Sequence, residues 1–142
     1  MNVRQATRKD AAIIAKFNQA MAYETEEKHL PDEQILAGVT AQVENPSHGY
    51  YLVVENTQSE VVGCLGITYE WSDWRNGNFW WIQSVYVSPE NRKQGVFSAL
   101  HQEARERAMK TPDVCGIRLY VEKENTSAQE VYSRRGMKET DY

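Results

Sequence analysis

Apolar residues in this chain follow two rhythms, and the places where one gives way to the other mark out its elements. Ile13, Ile14, Phe17 and Met21 recur at steps of three and four, which gathers them on one face of a helix. Thr7 stands ahead of them as a cap, with Asp10 at the third helical position. After the acidic segment YETEEKHLP, the spacing of Ile35, Leu36, Val39 and Val43 predicts a second helix, which NPSHG ends. Runs rich in β-branched and aromatic residues then take over. YYLVVE and VVGCLGITYE, joined by ENTQSE, predict an antiparallel hairpin, and WSDWRNG turns the chain into a further strand, NFWWIQSVYV.

That strand breaks at Pro89, and Arg92 and Gly95 fall where a third helix begins. CGIRLYV alternates as a strand again, and a last helix over about residues 126–135 ends at Gly136, a residue suited to a C-terminal cap. With a short first strand at residues 3–6, the order is strand, two helices, three strands, helix, strand, helix. A single α/β (α+β) domain over residues 1–142 is expected, with helices flanking a central mixed sheet. Residues 79–121 form its strand–helix–strand crossover between parallel strands.

Composition narrows the function classes. The net charge of −4 argues against a generic nucleic-acid partner, whose phosphates would have to be neutralised by Lys and Arg. The start, MNVRQATRKD, lacks the apolar core of a signal peptide, and no run is long enough to span a bilayer, so a cytoplasmic protein without a membrane partner is expected. Cys64 and Cys115 sit in apolar surroundings and are expected to be buried thiols. His29, His48 and His101 lack metal-ligand spacing; surface or capping roles and no metal are expected.

The chemistry concentrates in SVYVSPENRKQGVFSALHQEA. Ligands of a strand–helix–strand unit gather at the carboxyl end of its first strand, and a helix N-terminus there offers free N–H groups and a positive dipole end. Gly95 removes the side chain that would hold a ligand off the backbone, while Arg92 and Lys93 add positive charge, so a phosphate-bearing ligand is expected. The chain contains neither G-x-x-x-x-G-K-[ST] nor G-x-G-x-x-G, which argues against a nucleoside triphosphate and a dinucleotide.

Arg92 and Gly95 resemble the pyrophosphate signature of the GNAT superfamily of N-acetyltransferases: Arg or Gln, two residues, Gly, one residue, then Gly or Ala. Phe97 departs from its final small position. A second segment, NTSAQEVYSRRGM, is similar to the superfamily's late helix through Asn125, Ala128, Tyr132 and Gly136. The resemblance extends to element order across nearly the whole chain, and implies a GNAT-type acyl-CoA N-acyltransferase fold with acetyl-CoA as cosubstrate and an amine acceptor. It also implies a cofactor site built from Val85, Tyr86, Val87, Arg92, Lys93, Gln94, Gly95, Val96, Phe97, Ser98, Asn125 and Tyr132.

By the same resemblance, the amine attacks the thioester, the Val87 N–H stabilises the oxyanion, and the Tyr132 phenol donates to the departing thiolate. Gln83 stands where many members carry a Glu base, which leaves Glu24, Glu26, Glu27 and Glu70 as candidate carboxylates. Residues 24–27 also suit a solvated loop, or an acidic surface favouring cationic amines. Trp80 and Trp81 point to opposite sheet faces, one into the core; the other, with Trp71 and Trp74, suits an aromatic wall for a cation or a cover for the sheet.

Two other readings remain open: a non-catalytic acyl-CoA-binding module, and an unrelated phosphate-binding α/β domain. Members of the superfamily usually continue through further strands where KETDY follows Met137 here. A sheet without its final strand is expected, with an edge that a homodimer partner would shield.

Overall fold

The computed structural model describes residues 1–121 and 124–140. Its strands are β1 (Asn2–Gln5), β2 (Gly49–Glu55), β3 (Val61–Ser72), β4 (Gly77–Val87) and β5 (Val114–Arg118). Its helices are α1 (Ala11–Glu26), α2 (Asp32–Glu44), α3 (Val96–Lys110) and α4 (Thr126–Arg134). The strands lie in the sheet in chain order, antiparallel from β1 to β4, and β5 then runs parallel to β4 after the crossover through α3.

Helices cover both faces of this sheet. Tyr50, Leu52, Leu65, Ile67, Trp80 and Ile82 pack with Val96, Leu100 and Ala104 of α3. On the other face Tyr51, Val53, Cys64 and Tyr86 pack with Ile14 and Phe17 of α1 and Val39 of α2. This explains why YYLVV is apolar throughout: β2 is buried on both sides, so neither set of its alternating side chains meets water. Side chains fully removed from solvent, Ile14, Leu52, Leu65, Ile67 and Leu100 among them, each contribute about 1.5–3 kcal/mol by burial.

Several expectations change. Leu36 is 43% exposed, because α2 rests on the sheet along a stripe centred on Val39. Cys64 is buried, and burial pushes its thiol up to about 12, whereas Cys115 on β5 is exposed. His101 is not at the surface but buried within α3's inner face, with neither ring nitrogen hydrogen-bonded. Burial, then Arg135 and Arg105, lower its pKa and keep the ring neutral. The strand expected through Val121 stops at Arg118, and residues 138–140 adopt no regular structure.

Thr7 and Asp10 cap a single 3-10 turn that leads into α1, with the Thr7 N–H donating to the Asp10 carboxylate at 2.8 Å. Arg4 holds both oxygens of this buried carboxylate, at 2.8 and 2.9 Å, and also pairs with Glu55 on β2. The hydrogen bonds from Arg4 outweigh burial and depress the Asp10 pKa. Because the folded pKa lies below the unfolded one, the stabilisation is complete above the unfolded carboxylate range and is lost as pH falls through the folded pKa. Asp10→Asn is expected to cost about 1.5–3 kcal/mol at neutral pH and to flatten the acid limb of a plot of melting temperature against pH. An unchanged acid limb would assign that limb to other groups.

Candidate functional site

β4 and β5 pair only from Asn78 to Trp81, opposite Val114 to Arg118. Beyond that point β4 continues to Val87 while the other chain leaves the sheet through Leu119, Tyr120 and Val121, and the two diverge around a cleft of about 700 Å³. The divergence begins at a bulge. Ile67 pairs with Ile82 and Gly66 with Ser84, so Gln83 is an extra residue in β4 that bends the strand away from its neighbour.

The bulge also sets which way the backbone faces. The Ser88 N–H donates to the Val62 carbonyl at 2.9 Å, so by the alternation of an antiparallel ladder the polar groups of Val87 and Val85 turn from β3 toward the cleft. Both residues line it. Tyr86, between them, sends its side chain the other way, against Phe17 of α1 at 5.3 Å between ring centroids.

At the end of β4 the chain passes through Arg92, Lys93, Gln94 and Gly95 into α3. Lys93 and Gly95 are left-handed, with φ of +63° and +82°. A side chain at Gly95 would meet no atom within 4 Å, so glycine is favoured there by the backbone angle rather than by crowding, and open space lies beside it. No side chain caps the start of α3, so the N–H groups of Val96, Phe97 and Ser98 begin the helix without a side-chain acceptor. Gly95, Val96, Phe97 and Ser98 all line the cleft.

The far wall comes from α4. The Asn125 side-chain oxygen accepts the Ala128 N–H at 3.1 Å and caps the helix, and Gly136 at φ +86° follows its end. Between them Tyr132 lines the cleft, and burial raises its pKa, keeping the phenol protonated. A larger hollow of about 910 Å³ follows β5 and also touches Tyr132, but the α3 N-terminus and Gly95 border the smaller cleft alone.

The candidate carboxylates separate by environment. Glu24 of α1 is engaged by two donors: the Tyr86 hydroxyl, and Arg92 Nη2 at 2.8 Å. The Tyr86 hydrogen bond, then Arg92, depress its pKa, so the carboxylate stays ionised with both oxygens engaged. Glu26 pairs with Lys28 at 3.7 Å in solvent, and Glu27 ends α1 with φ +53°. Glu70 stands on the sheet face, accepting the Trp81 indole N–H at 2.8 Å, with Arg118 at 3.6 Å. Trp81 stacks on Tyr120 at 4.7 Å, and Gln83 donates to the Thr68 hydroxyl at 2.9 Å on the same face. Trp80 enters the core, while Trp71 and Trp74 are 60% and 91% exposed.

A parallel strand pair parted beside a bulge, with a left-handed glycine opening a helix on one side of the gap, sits within a fold that known proteins share. The Acetyltransferase (GNAT) family profile matches residues 12–137. The chain belongs to the GNAT acetyltransferase family. Among solved structures, a possible acetyltransferase from Clostridium difficile 630 is 44% identical over 99% of this chain and 92% of that one, with a TM-score of 0.92. At 19% identity, a putative acetyltransferase from Arthrobacter sp. FB24 (TM-score 0.84, 99% of this chain and 87% of that one) shares the fold. So does a ribosomal-protein-alanine N-acetyltransferase from Brucella melitensis biovar Abortus 2308, at 13% identity and TM-score 0.73, with 100% of this chain and 95% of that one covered. No curated protein matches the sequence significantly.

Phe97, the departure from the GNAT signature, has a packing explanation. Its ring meets Tyr132 edge-on at 5.6 Å and lies 5.8 Å from His101, tying α3 to α4. Two features of this GNAT site lay outside the sequence reading. One is the contact of Glu24 with Arg92 and Tyr86, whose partners are 68 and 62 residues away. The other is the bulge, whose signal was available: Gln83 and Ser84 are adjacent polar residues that interrupt the apolar runs FWWI and VYV.

Proposed function

We propose that this protein is an acetyl-CoA-dependent N-acetyltransferase acting on a primary amine of a small molecule or an exposed protein amine. The divergence of β4 from β5 carries the reading, because it puts three complementary groups around one cleft. Backbone N–H groups from Gly95 to Ser98 hold the pyrophosphate, supported by the dipole of α3. The Val87 N–H, turned from the ladder, serves the oxyanion, and the Tyr132 phenol donates a hydrogen bond to the departing sulfur. Lys93 adds positive charge to the phosphate-binding turn, while Asn125 orders the start of α4.

The acceptor enters from the sheet face that bears Glu70, Gln83 and the Trp81–Tyr120 pair. Glu70, exposed on that face and paired only loosely with Arg118 at 3.6 Å, is the carboxylate proposed to attract a cationic amine. Exposed charge pairs of this kind are worth up to about 1 kcal/mol, so Glu70→Gln is expected to raise the acceptor KM by roughly fivefold, with kcat little changed. Equal KM values for a cationic amine in the two proteins would place the acceptor elsewhere. A thiol-release assay with acetyl-CoA against polyamines, amino acids, aminoglycosides and peptides tests the function itself. The amide of Gln83, in place of a carboxylate base, favours a second reading as a non-catalytic acyl-CoA-binding module; CoA binding without turnover on any amine would select it.

A further inference from the structure

Arg92, the first residue of the phosphate-binding signature, spends its side chain on the protein. Its Nε donates to the Val87 carbonyl at 2.9 Å, its Nη2 donates to Glu24 at 2.8 Å, and its guanidinium lies 5.2 Å from the centre of the Tyr86 ring. The Tyr86 hydroxyl donates to the other oxygen of the same Glu24 carboxylate. Every one of these contacts is to β4 or α1, and together they enclose the last two residues of β4. The planar guanidinium suits this use, since it can hold a carbonyl, a carboxylate and a ring at once.

We propose that Glu24 is a positioning residue: through Arg92 and Tyr86 it fixes the end of β4, and with it the Val87 N–H and the turn that receives the pyrophosphate. The phosphate contacts then come from the backbone of residues 95–98, and Arg92 organises that backbone. The assignment of ligand and reaction rests on the acetyltransferase reading above; the mechanical link between α1 and the turn does not. Glu24 side chains are partly exposed, and Gln is close in shape, so the fold should tolerate the exchange.

An alternative arrangement predicts the opposite sign. If Glu24 merely screened Arg92 from the phosphates, removing its charge would free the guanidinium and tighten CoA binding. Three measurements on wild type, Glu24→Gln, Arg92→Gln and the double variant separate the two. Hydrogen exchange on the unliganded protein is expected to rise in Glu24→Gln at residues 86–98 and not elsewhere. Calorimetry is expected to show CoA binding weakened roughly tenfold, as for loss of a charge-assisted hydrogen bond, with binding of pantetheine, which lacks the pyrophosphate, unchanged.

Turnover of acetyl-CoA is expected to fall, and the loss in the double variant is expected to fall short of the sum of the two single losses, because Arg92 and Glu24 share one network. Unchanged exchange at residues 86–98, tighter CoA binding in Glu24→Gln, or additive losses in the double variant would each overturn the proposal. Wild-type protein that gave no heat with CoA would strike the acetyl-CoA reading instead, and the exchange experiment would still decide the link.

Discussion

Tyr132→Phe is expected to lower turnover by roughly 10² to 10⁴ while CoA binding persists, the range for losing a positioned general acid. The substitution deletes one oxygen and keeps the ring that meets Phe97 edge-on, so α4 should stay docked on α3. Burial raises the Tyr132 pKa, so at neutral pH the phenol always has a proton to share. It can therefore hydrogen-bond the sulfur as charge develops there without first having to be recharged. If Tyr132 served packing alone, the variant would lose a little thermal stability and keep its rate. Turnover and melting temperature measured on one preparation distinguish these outcomes, provided chemistry limits the rate.

The second large effect is on binding. Gly95→Asp is expected to weaken CoA by roughly 100-fold or more, as for like charges juxtaposed in a binding site. Nothing lies within 4 Å of a side chain at this position, so the carboxylate would have room in the free protein and would project into the proposed pyrophosphate position. Aspartate is also among the residues that tolerate a left-handed backbone, so the turn at φ +82° should survive. Gly95→Ala supplies the comparison: it keeps the backbone penalty, adds no charge, and should retain most of the affinity. Calorimetry with CoA on both folded variants tests this, and equal affinities in Gly95→Asp and wild type would remove the turn from the cofactor site.

Much of this arrangement is legible in the sequence because it depends on near neighbours. Gly95 with Arg92, and Asn125 with Gly136, are local signals, and each marks a helix end that the chain does form. The apolar runs of β2 and β3 pair as a hairpin for the same reason. What escaped depends on packing between distant segments. Leu36 belongs to the apolar stripe of α2, yet only the contact with the sheet decides that Val39 is the residue covered. Cys115 sits at a register shift in β5, where Asn78 pairs with Val114 and Phe79 with Gly116, so it falls outside the alternation that turns Ile117 and Leu119 to the core. His101 looked like a surface residue because polarity says nothing of which face of α3 turns inward. Glu24 lay in an acidic run with no local sign that one carboxylate among its neighbours meets Arg92.

The single extra residue at Gln83 has an effect that reaches past the bend. Ahead of it, Trp80 and Ile82 face α3; beyond it, Val85 and Val87 do, so the strand exchanges even for odd positions as it crosses the bulge. Uninterrupted alternation would have driven the hydroxyls of Ser84 and Tyr86 into the apolar layer under α3, and turned the N–H groups of Val85 and Val87 inward to β3. With the shift, Ser84 meets Tyr51 and Tyr86 meets Glu24, while two peptide groups are left facing the opening. One inserted residue thus does the work of a half-turn: it rotates the remainder of β4 about its own axis, so that a strand built as interior wall becomes, over its last residues, a surface that can bind.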